Sequence, residues 1–190
     1  MVSSLTLFIG PMASGKSLLV IREIDMRRRA GIPVTVLKPK VDTRDARAIA
    51  SRLGPRVEAH DFDEHVPRFR HLVRDARCIA IDEAQFVSPK LLPLFDEILA
   101  EGIELIISGL DLDFRGEPFG LMPEFAKRAT KIEALTTYCA VCKQRNATRT
   151  QRLIGKDKRP APYDSPLIQI GGSESYEARC ETHHDVPGKP

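Results

Sequence analysis

Three groups of residues in this 190-residue chain have the types and spacing that chemistry requires. The first is Gly10-Pro11-Met12-Ala13-Ser14-Gly15-Lys16-Ser17, which matches G-x-x-x-x-G-K-[ST]. Glycines let such a loop curl until successive N–H groups point inward at phosphate oxygens, and a helix starting there adds positive potential. Lys16 then neutralises the outer phosphates and the Ser17 hydroxyl serves magnesium. The second group is Asp82-Glu83, placed at the end of the apolar run Cys78-Ile79-Ala80-Ile81. In a phosphate-loop protein a neighbouring strand ends in an acid that holds the magnesium shell, a part that falls to Asp82. Glu83 is free to accept a proton from an attacking hydroxyl or water. The third group pairs Cys139-x-x-Cys142 with Cys180-x-x-His183 across 37 intervening residues. Two knuckle-like pairs make four ligands for a structural zinc and leave no open position for catalysis. His184 competes with His183 for the fourth place, and the spacing favours His183.

These groups need elements to hold them. Leu5 to Ile9 reads as a strand, Lys16 to Arg29 as a helix stopped at Gly31, and Val34 to Leu37 as a second strand, a unit that predicts a parallel sheet. Residues 64–76 read as a helix and 78–81 as a strand. Ser88-Pro89 opens a helix to about Glu101, Glu104 to Ser108 forms a strand, and one more strand is expected near residues 131–137. The texture changes after Tyr138, so the expected division is 1–137 for the nucleotide-binding domain, 138–184 for a small metal-binding domain, and 185–190 for a flexible tail.

Composition excludes several classes. Hydrophobic residues make up 42% and charged residues 29%, which supports a packed core and argues against a disordered chain. No run approaches the roughly 18 to 20 apolar residues of a membrane span, and the N-terminal residues lack the pattern of a signal peptide. A cytoplasmic protein with neither disulfides nor a membrane role is the expectation. The net charge of +3, from 29 basic and 26 acidic residues, gives no case for a nucleic-acid partner. The basic cluster Arg145 to Arg159 reads as a solvated hinge.

With these residues in view the chain resembles the zinc-containing type II thymidine kinases over nearly its whole length. The family's phosphate loop reads G-P-M-x-S-G-K-[ST], and Gly10-Pro11-Met12 with Ser14-Gly15-Lys16-Ser17 reproduces it. Asp82-Glu83-Ala84-Gln85-Phe86 is the family's acid strand end, Gly109-Leu110-Asp111 through Phe114 and Pro118-Phe119-Gly120 resemble the loop after the next strand, and Ile170-Gly171-Gly172 with Tyr176 and Cys180 resemble a nucleoside-covering lasso. Leu18, Asp45 and His183 depart from the common pattern.

The resemblance implies a RecA-like P-loop parallel sheet flanked by helices, with a small C-terminal zinc-ribbon-like domain carrying the lasso. It implies transfer of the γ-phosphoryl group of ATP to the 5′-hydroxyl of thymidine or deoxyuridine, in deoxynucleoside salvage. Glu83 would be the general base, Lys16 and Arg44 would stabilise the transferring group, and Ser17 with Asp82 would hold magnesium. The nucleoside pocket would comprise Met12, Phe86, Leu110, Phe114, Phe119, Tyr176 and the lasso backbone at Gly171 and Gly172, with at least one phenylalanine being ordinary core. A homotetramer inhibited by thymidine triphosphate is implied as well. Two other readings stand beside it: a nucleotide-binding regulator, and a small zinc-ribbon ATPase acting on nucleic acid. The second needs two lobes of about 150 residues each, more than this chain supplies.

Overall fold

The computed structural model describes residues 4–43, 47–51, 54–169, 171–172 and 174–190. The first apolar run is β1 (Leu5–Ile9), ended by Gly10 at φ 138°. A Cβ at Gly10 would lie 2.4 Å from the Leu135 carbonyl oxygen, so only glycine lets the chain leave the strand here. α1 (Lys16–Arg29) follows, with Arg27, Arg28 and Arg29 in its last turn, where the helix dipole favours cations. β2 (Val34–Pro39) completes the first parallel unit. A short antiparallel hairpin of β3 (Ala48–Ala50) and β4 (Arg56–Glu58) then leads to β5 (His60–Phe62).

The middle of the chain supplies α2 (Val66–Val73), β6 (Cys78–Ile81), α3 (Leu92–Ala100), β7 (Glu104–Gly109), α4 (Met122–Arg128) and β8 (Lys131–Ala134). The helix expected from Ser88-Pro89 starts with a separate 3-10 turn at Pro89–Leu91. Pro93 has no N–H to give the Pro89 carbonyl, so the α-helical ladder starts only at Leu92.

One six-stranded sheet, in the order β5-β2-β6-β7-β1-β8, is parallel at every pairing. Alternate residues face opposite layers. Leu5, Leu7, Ile79, Ile81, Leu105 and Ile107 pack under α2, α3 and α4, where Phe62, Phe69, Phe95 and Phe125 meet edge to face at centroid distances of 5.2, 5.6 and 5.1 Å. Truncating the fully buried Phe95 to alanine would cost about 3 to 5 kcal/mol. Phe8, Cys78, Ala80 and Ile106 face the other way, onto Val20 and Ile24 of α1. Burial pushes the Cys78 thiol up to about 12, consistent with a core residue.

Beyond β8, a separate three-stranded antiparallel sheet in the order β10-β9-β11 is built from β9 (Arg149–Ile154), β10 (Arg159–Pro160) and β11 (Tyr176–Arg179). The segment expected to be a solvated hinge therefore contains a strand. Thr150, Gln151, Arg152 and Leu153 are all buried, because Arg152 finds partners for its guanidinium inside the fold.

Candidate active site

The loop between β1 and α1 folds back on its own lysine. Lys16 is buried, and its Nζ donates to the carbonyls of Gly10 (2.8 Å) and Pro11 (2.7 Å) and to Ser14 Oγ (3.4 Å). Gly15 in the left-handed region turns the chain into α1, so Ser17 stands in the helix's first turn. Asp82 lies two strands away, at the end of β6, with β7 between. It is buried, and the hydroxyls of Ser17 and Ser108 and the Glu83 N–H (3.0 Å) donate to it. Burial raises the Asp82 carboxyl above its usual range and the charge of Glu83 adds to the effect, while these hydrogen bonds oppose it.

Glu83 itself has φ 56° and ψ 41°, a left-handed conformation that a non-glycine residue adopts at a cost of order 1 kcal/mol or more. This reverses the chain after Asp82, so the two carboxylates point to different places. Gln85 holds the Glu83 side chain: its Nε2 donates to Glu83 Oε2 at 2.6 Å, and its Oε1 accepts the Leu110 N–H at 3.0 Å. Gly120 lets the following loop close over this contact. A Cβ there would sit 2.1 Å from the Gln85 carbonyl oxygen.

Two cavities meet at Glu83. The larger, of about 630 Å³, is lined by residues 12–18, Lys38, Asp42 and Asp82. The smaller, of about 50 Å³, is lined mainly by apolar side chains together with Gln85, Thr150, Arg152 and lasso residues 167–169, and the two share Met12, Glu83, Leu110 and Gly171. All the nucleoside-pocket residues expected from the sequence line one or both, including Phe86, Phe114, Phe119 and Tyr176, with Gly172 on the larger. Phe114 and Phe119 are also buried as core residues, while Phe86 is half-buried. Gly172 N–H donates to Glu174 Oε1 at 2.5 Å. Arg44 lies outside the described residues.

Three cleft residues escaped sequence reasoning. Thr150 Oγ1 accepts the Met12 N–H at 3.0 Å, tying the phosphate loop to β9. Arg152, 2% exposed, stacks on the Phe114 ring at 4.0 Å. It also donates to Tyr176 Oη (3.0 Å) and to the carbonyls of Pro166 and Leu167 (2.7 Å for the latter). Gln85 is the third. Lys38, on the other side of the large cavity, forms an almost fully buried ion pair with Asp42 at 3.2 Å.

The ligand atoms of Cys139, Cys142, Cys180 and His183 all lie within 4.8 Å of one another. Cys180 Sγ is 3.1 Å and Cys139 Sγ 3.8 Å from His183 Nδ1, and Cys142 and Cys180 sulfurs are 4.0 Å apart. A tetrahedron with Zn–S of about 2.3 Å has edges of about 3.8 Å, so this donor set fits zinc. Burial opposes ionisation of Cys139, but N–H groups of Cys180, Cys142 and Val141 outweigh it and bring the thiol down to about 6, ready to ligate. His184 is turned away, its Nε2–H donating to the Phe114 carbonyl at 2.9 Å. No helix among the described residues is long and apolar enough to cross a membrane.

Comparison with known proteins agrees with this geometry. The family model described as thymidine kinase matches residues 3–184. A thymidine kinase of Coprothermobacter proteolyticus is 42% identical over 187 residues, covering 97% of this chain and 92% of that protein. One of Deinococcus deserti is 42% identical over 193 residues, covering 96% and 94%. Among solved structures, the genome packaging NTPase B204 from Sulfolobus turreted icosahedral virus 2 in complex with sulfate aligns with a TM-score of 0.46 and 16% identity over 75% of this chain and 77% of that one, too weak a likeness to argue from. A phosphate loop, an acid pair and a Cys/His cluster, set in a sequence that matches one family from end to end, identify this chain as a member of the thymidine kinase family.

Proposed function

We propose that the chain transfers the γ-phosphoryl group of ATP to the 5′-hydroxyl of thymidine, and of deoxyuridine, in pyrimidine deoxynucleoside salvage. The observation that carries this reading is the place of Glu83 on the wall shared by a phosphate-type cavity and an apolar cleft. A nucleoside in the cleft would turn its hydroxyl towards Glu83, and the nucleotide's phosphates would lie along residues 10–17. Glu83 takes the hydroxyl proton, the freed oxygen forms a bond to the γ-phosphorus, and the bond to the bridging oxygen breaks as ADP leaves. Lys16 and Arg44 stabilise the charge that develops on the transferring group. Ser17 and Asp82 would hold magnesium, which supplies neutralisation of the phosphate oxygens. Zinc held by Cys139, Cys142, Cys180 and His183 would join the two ends of the domain at 138–184 and so fix the lasso.

Specificity follows from what the cleft leaves unsaid. Leu110, Phe114 and Phe119 offer no hydrogen bonds, and the polar side chains of Gln85, Thr150 and Arg152 are engaged with protein groups. Gly171 and Gly172 have no side chains, so lasso backbone can come close to the base and hydrogen-bond its fixed edge. The cleft is the tighter of the two cavities, about 50 Å³ against about 630 Å³. On the same reading thymidine triphosphate inhibits by placing its base in the cleft, and the protein acts as a homotetramer in the cytoplasm, with no nucleic-acid or membrane partner.

A coupled assay of ATP consumption across a panel of nucleosides tests the proposal. Thymidine and deoxyuridine should be phosphorylated and deoxycytidine and purine nucleosides rejected. Efficient use of deoxycytidine would refute the specificity, and no turnover with any pyrimidine nucleoside would refute the function.

A further inference from the structure

The residues that follow the metal ligands make a set of contacts that neither the phosphate loop nor the metal cluster needs. Gln151, fully buried in β9, clamps the backbone of Asp185 from both sides: its Oε1 accepts the Asp185 N–H at 2.8 Å, and its Nε2 donates to the Asp185 carbonyl at 2.8 Å. Before this point His184 donates to the Phe114 carbonyl, and after it the Pro187 carbonyl accepts the Tyr163 N–H at 2.8 Å. Lys189 Nζ then reaches the Arg115 carbonyl at 2.6 Å. The segment 184–189 thus touches three separate pieces of chain: β9, the loop at Phe114 and Arg115, and the root of the lasso at Tyr163.

Of those last two pieces, Phe114 lines the small cleft itself, and the chain from Tyr163 runs on to the cleft residues Leu167, Ile168 and Gln169. The two pieces are also joined directly, since Arg115 lies over the Tyr163 ring at 4.7 Å and donates to the Ser165 carbonyl at 2.9 Å, and Tyr163 Oη donates to Glu117 at 2.9 Å. Phe114, whose carbonyl His184 holds, carries its ring into the cleft wall against Arg152. Each contact is modest by itself, but the buried amide of Gln151 has strict demands. Without Asp185 its Nε2 would keep only the Arg152 carbonyl at 3.1 Å and its Oε1 only Arg179 at 3.4 Å, in a place water reaches poorly.

We infer that residues 184–189 are a positioning strap for nucleoside binding: anchored by Gln151, they set the spacing between the Phe114 loop and the lasso. The strap touches no reacting group. It acts through Phe114, Arg115 and Tyr163, and it rests on the reading of the small cleft as the nucleoside site.

The test uses the full chain and three variants: one lacking 185–190, which keeps every proposed metal ligand and His184, together with Gln151→Glu and Lys189→Ala. A glutamate at 151 still accepts the Asp185 N–H but has nothing to donate to its carbonyl. The Michaelis constant for thymidine should rise about tenfold in the shortened chain and with Gln151→Glu, and about twofold to threefold with Lys189→Ala. kcat and the Michaelis constant for ATP should stay within about twofold. Amide exchange at 110–119 and 163–169, measured with no nucleoside present, should quicken in the same order. Unchanged thymidine constants and unchanged exchange overturn the strap, as does a parallel loss in kcat and ATP affinity, which would mean general damage. If the shortened chain does not fold, the two full-length variants decide. If the unaltered chain fails to phosphorylate thymidine, the functional reading falls, and the strap stands or falls on the exchange data alone.

Discussion

The large cavity and the small cleft share a wall but are made in different ways. The large one is built around seven consecutive residues, Met12 to Leu18, whose geometry follows from one loop and one helix start, with shorter pieces added from β2, β3, the end of β6 and the lasso. The cleft draws on five stretches of chain that meet only in the folded protein: the phosphate loop, the turn at 83–86, the loop at 110–119, β9, and the segment from 167 to 176. A contiguous stretch such as Met12 to Leu18 keeps its own shape when other parts move, because its residues cannot drift from one another. An assembled one depends on every tie between its pieces, and Thr150, Arg152 and Gln85 are such ties.

The largest effect expected belongs to the shared wall. Glu83→Gln keeps the shape, including a partner for Gln85, and removes the base, so turnover should fall by about two to four orders of magnitude while both ligands still bind. Near-normal turnover would assign proton transfer elsewhere. Asp82→Asn should also cripple turnover, yet raise the melting temperature by a few degrees. The sign follows from linkage. The folded protein holds the Asp82 carboxyl above its usual range, so across the window from that range up to the folded value the native state binds the extra proton, and stability falls as pH rises. Asparagine removes this loss, and its advantage should shrink as the pH is lowered towards the usual carboxylate range. A melting temperature that drops at neutral pH would contradict the account.

Which of these features could be read before folding was known depended on distance along the chain. β1, α1 and the acid-tipped β6 were legible because each is a local pattern with a clear stop. β3, β4 and β5 were not, being three residues each, and in β4 only Val57 is buried. The strand through Arg149 to Ile154 was hidden by its own charges. A guanidinium counts as surface until two aromatic rings and two carbonyls are brought to it, and those come from residues 114, 166, 167 and 176. The choice between His183 and His184 was likewise open in the sequence, and the structure separates them by pointing one at the sulfurs and the other at Phe114.

Metal removal should strike the assembled site first. Chelation of freshly prepared protein is expected to lower the melting temperature by about 10 °C or more and to weaken thymidine binding well before ATP binding. Equal loss of both would argue that the metal supports the whole fold. A smaller effect is expected at the hydrogen bond that ties the phosphate loop to β9. Thr150→Val leaves the half-buried Met12 N–H without its acceptor, at a cost of about 1 kcal/mol. Because Met12 lines both cavities, the Michaelis constants for thymidine and ATP should rise together, by about fivefold. A change confined to one substrate would show that the two regions work independently.

The sheet order carries a consequence of its own. Since β1 and β6 are not neighbours, β7 acts as a ruler laid between the loop that grips phosphate and the strand that presents the acid. Two strand spacings come to about 9.5 Å, a gap that neither loop nor side chain can stretch. Ser108, at the tip of that ruler, is small enough to leave the gap open and still polar enough to touch Asp82. The spacing between the phosphate-loop motif and Asp82 is therefore written in backbone hydrogen bonds, where point mutation reaches least.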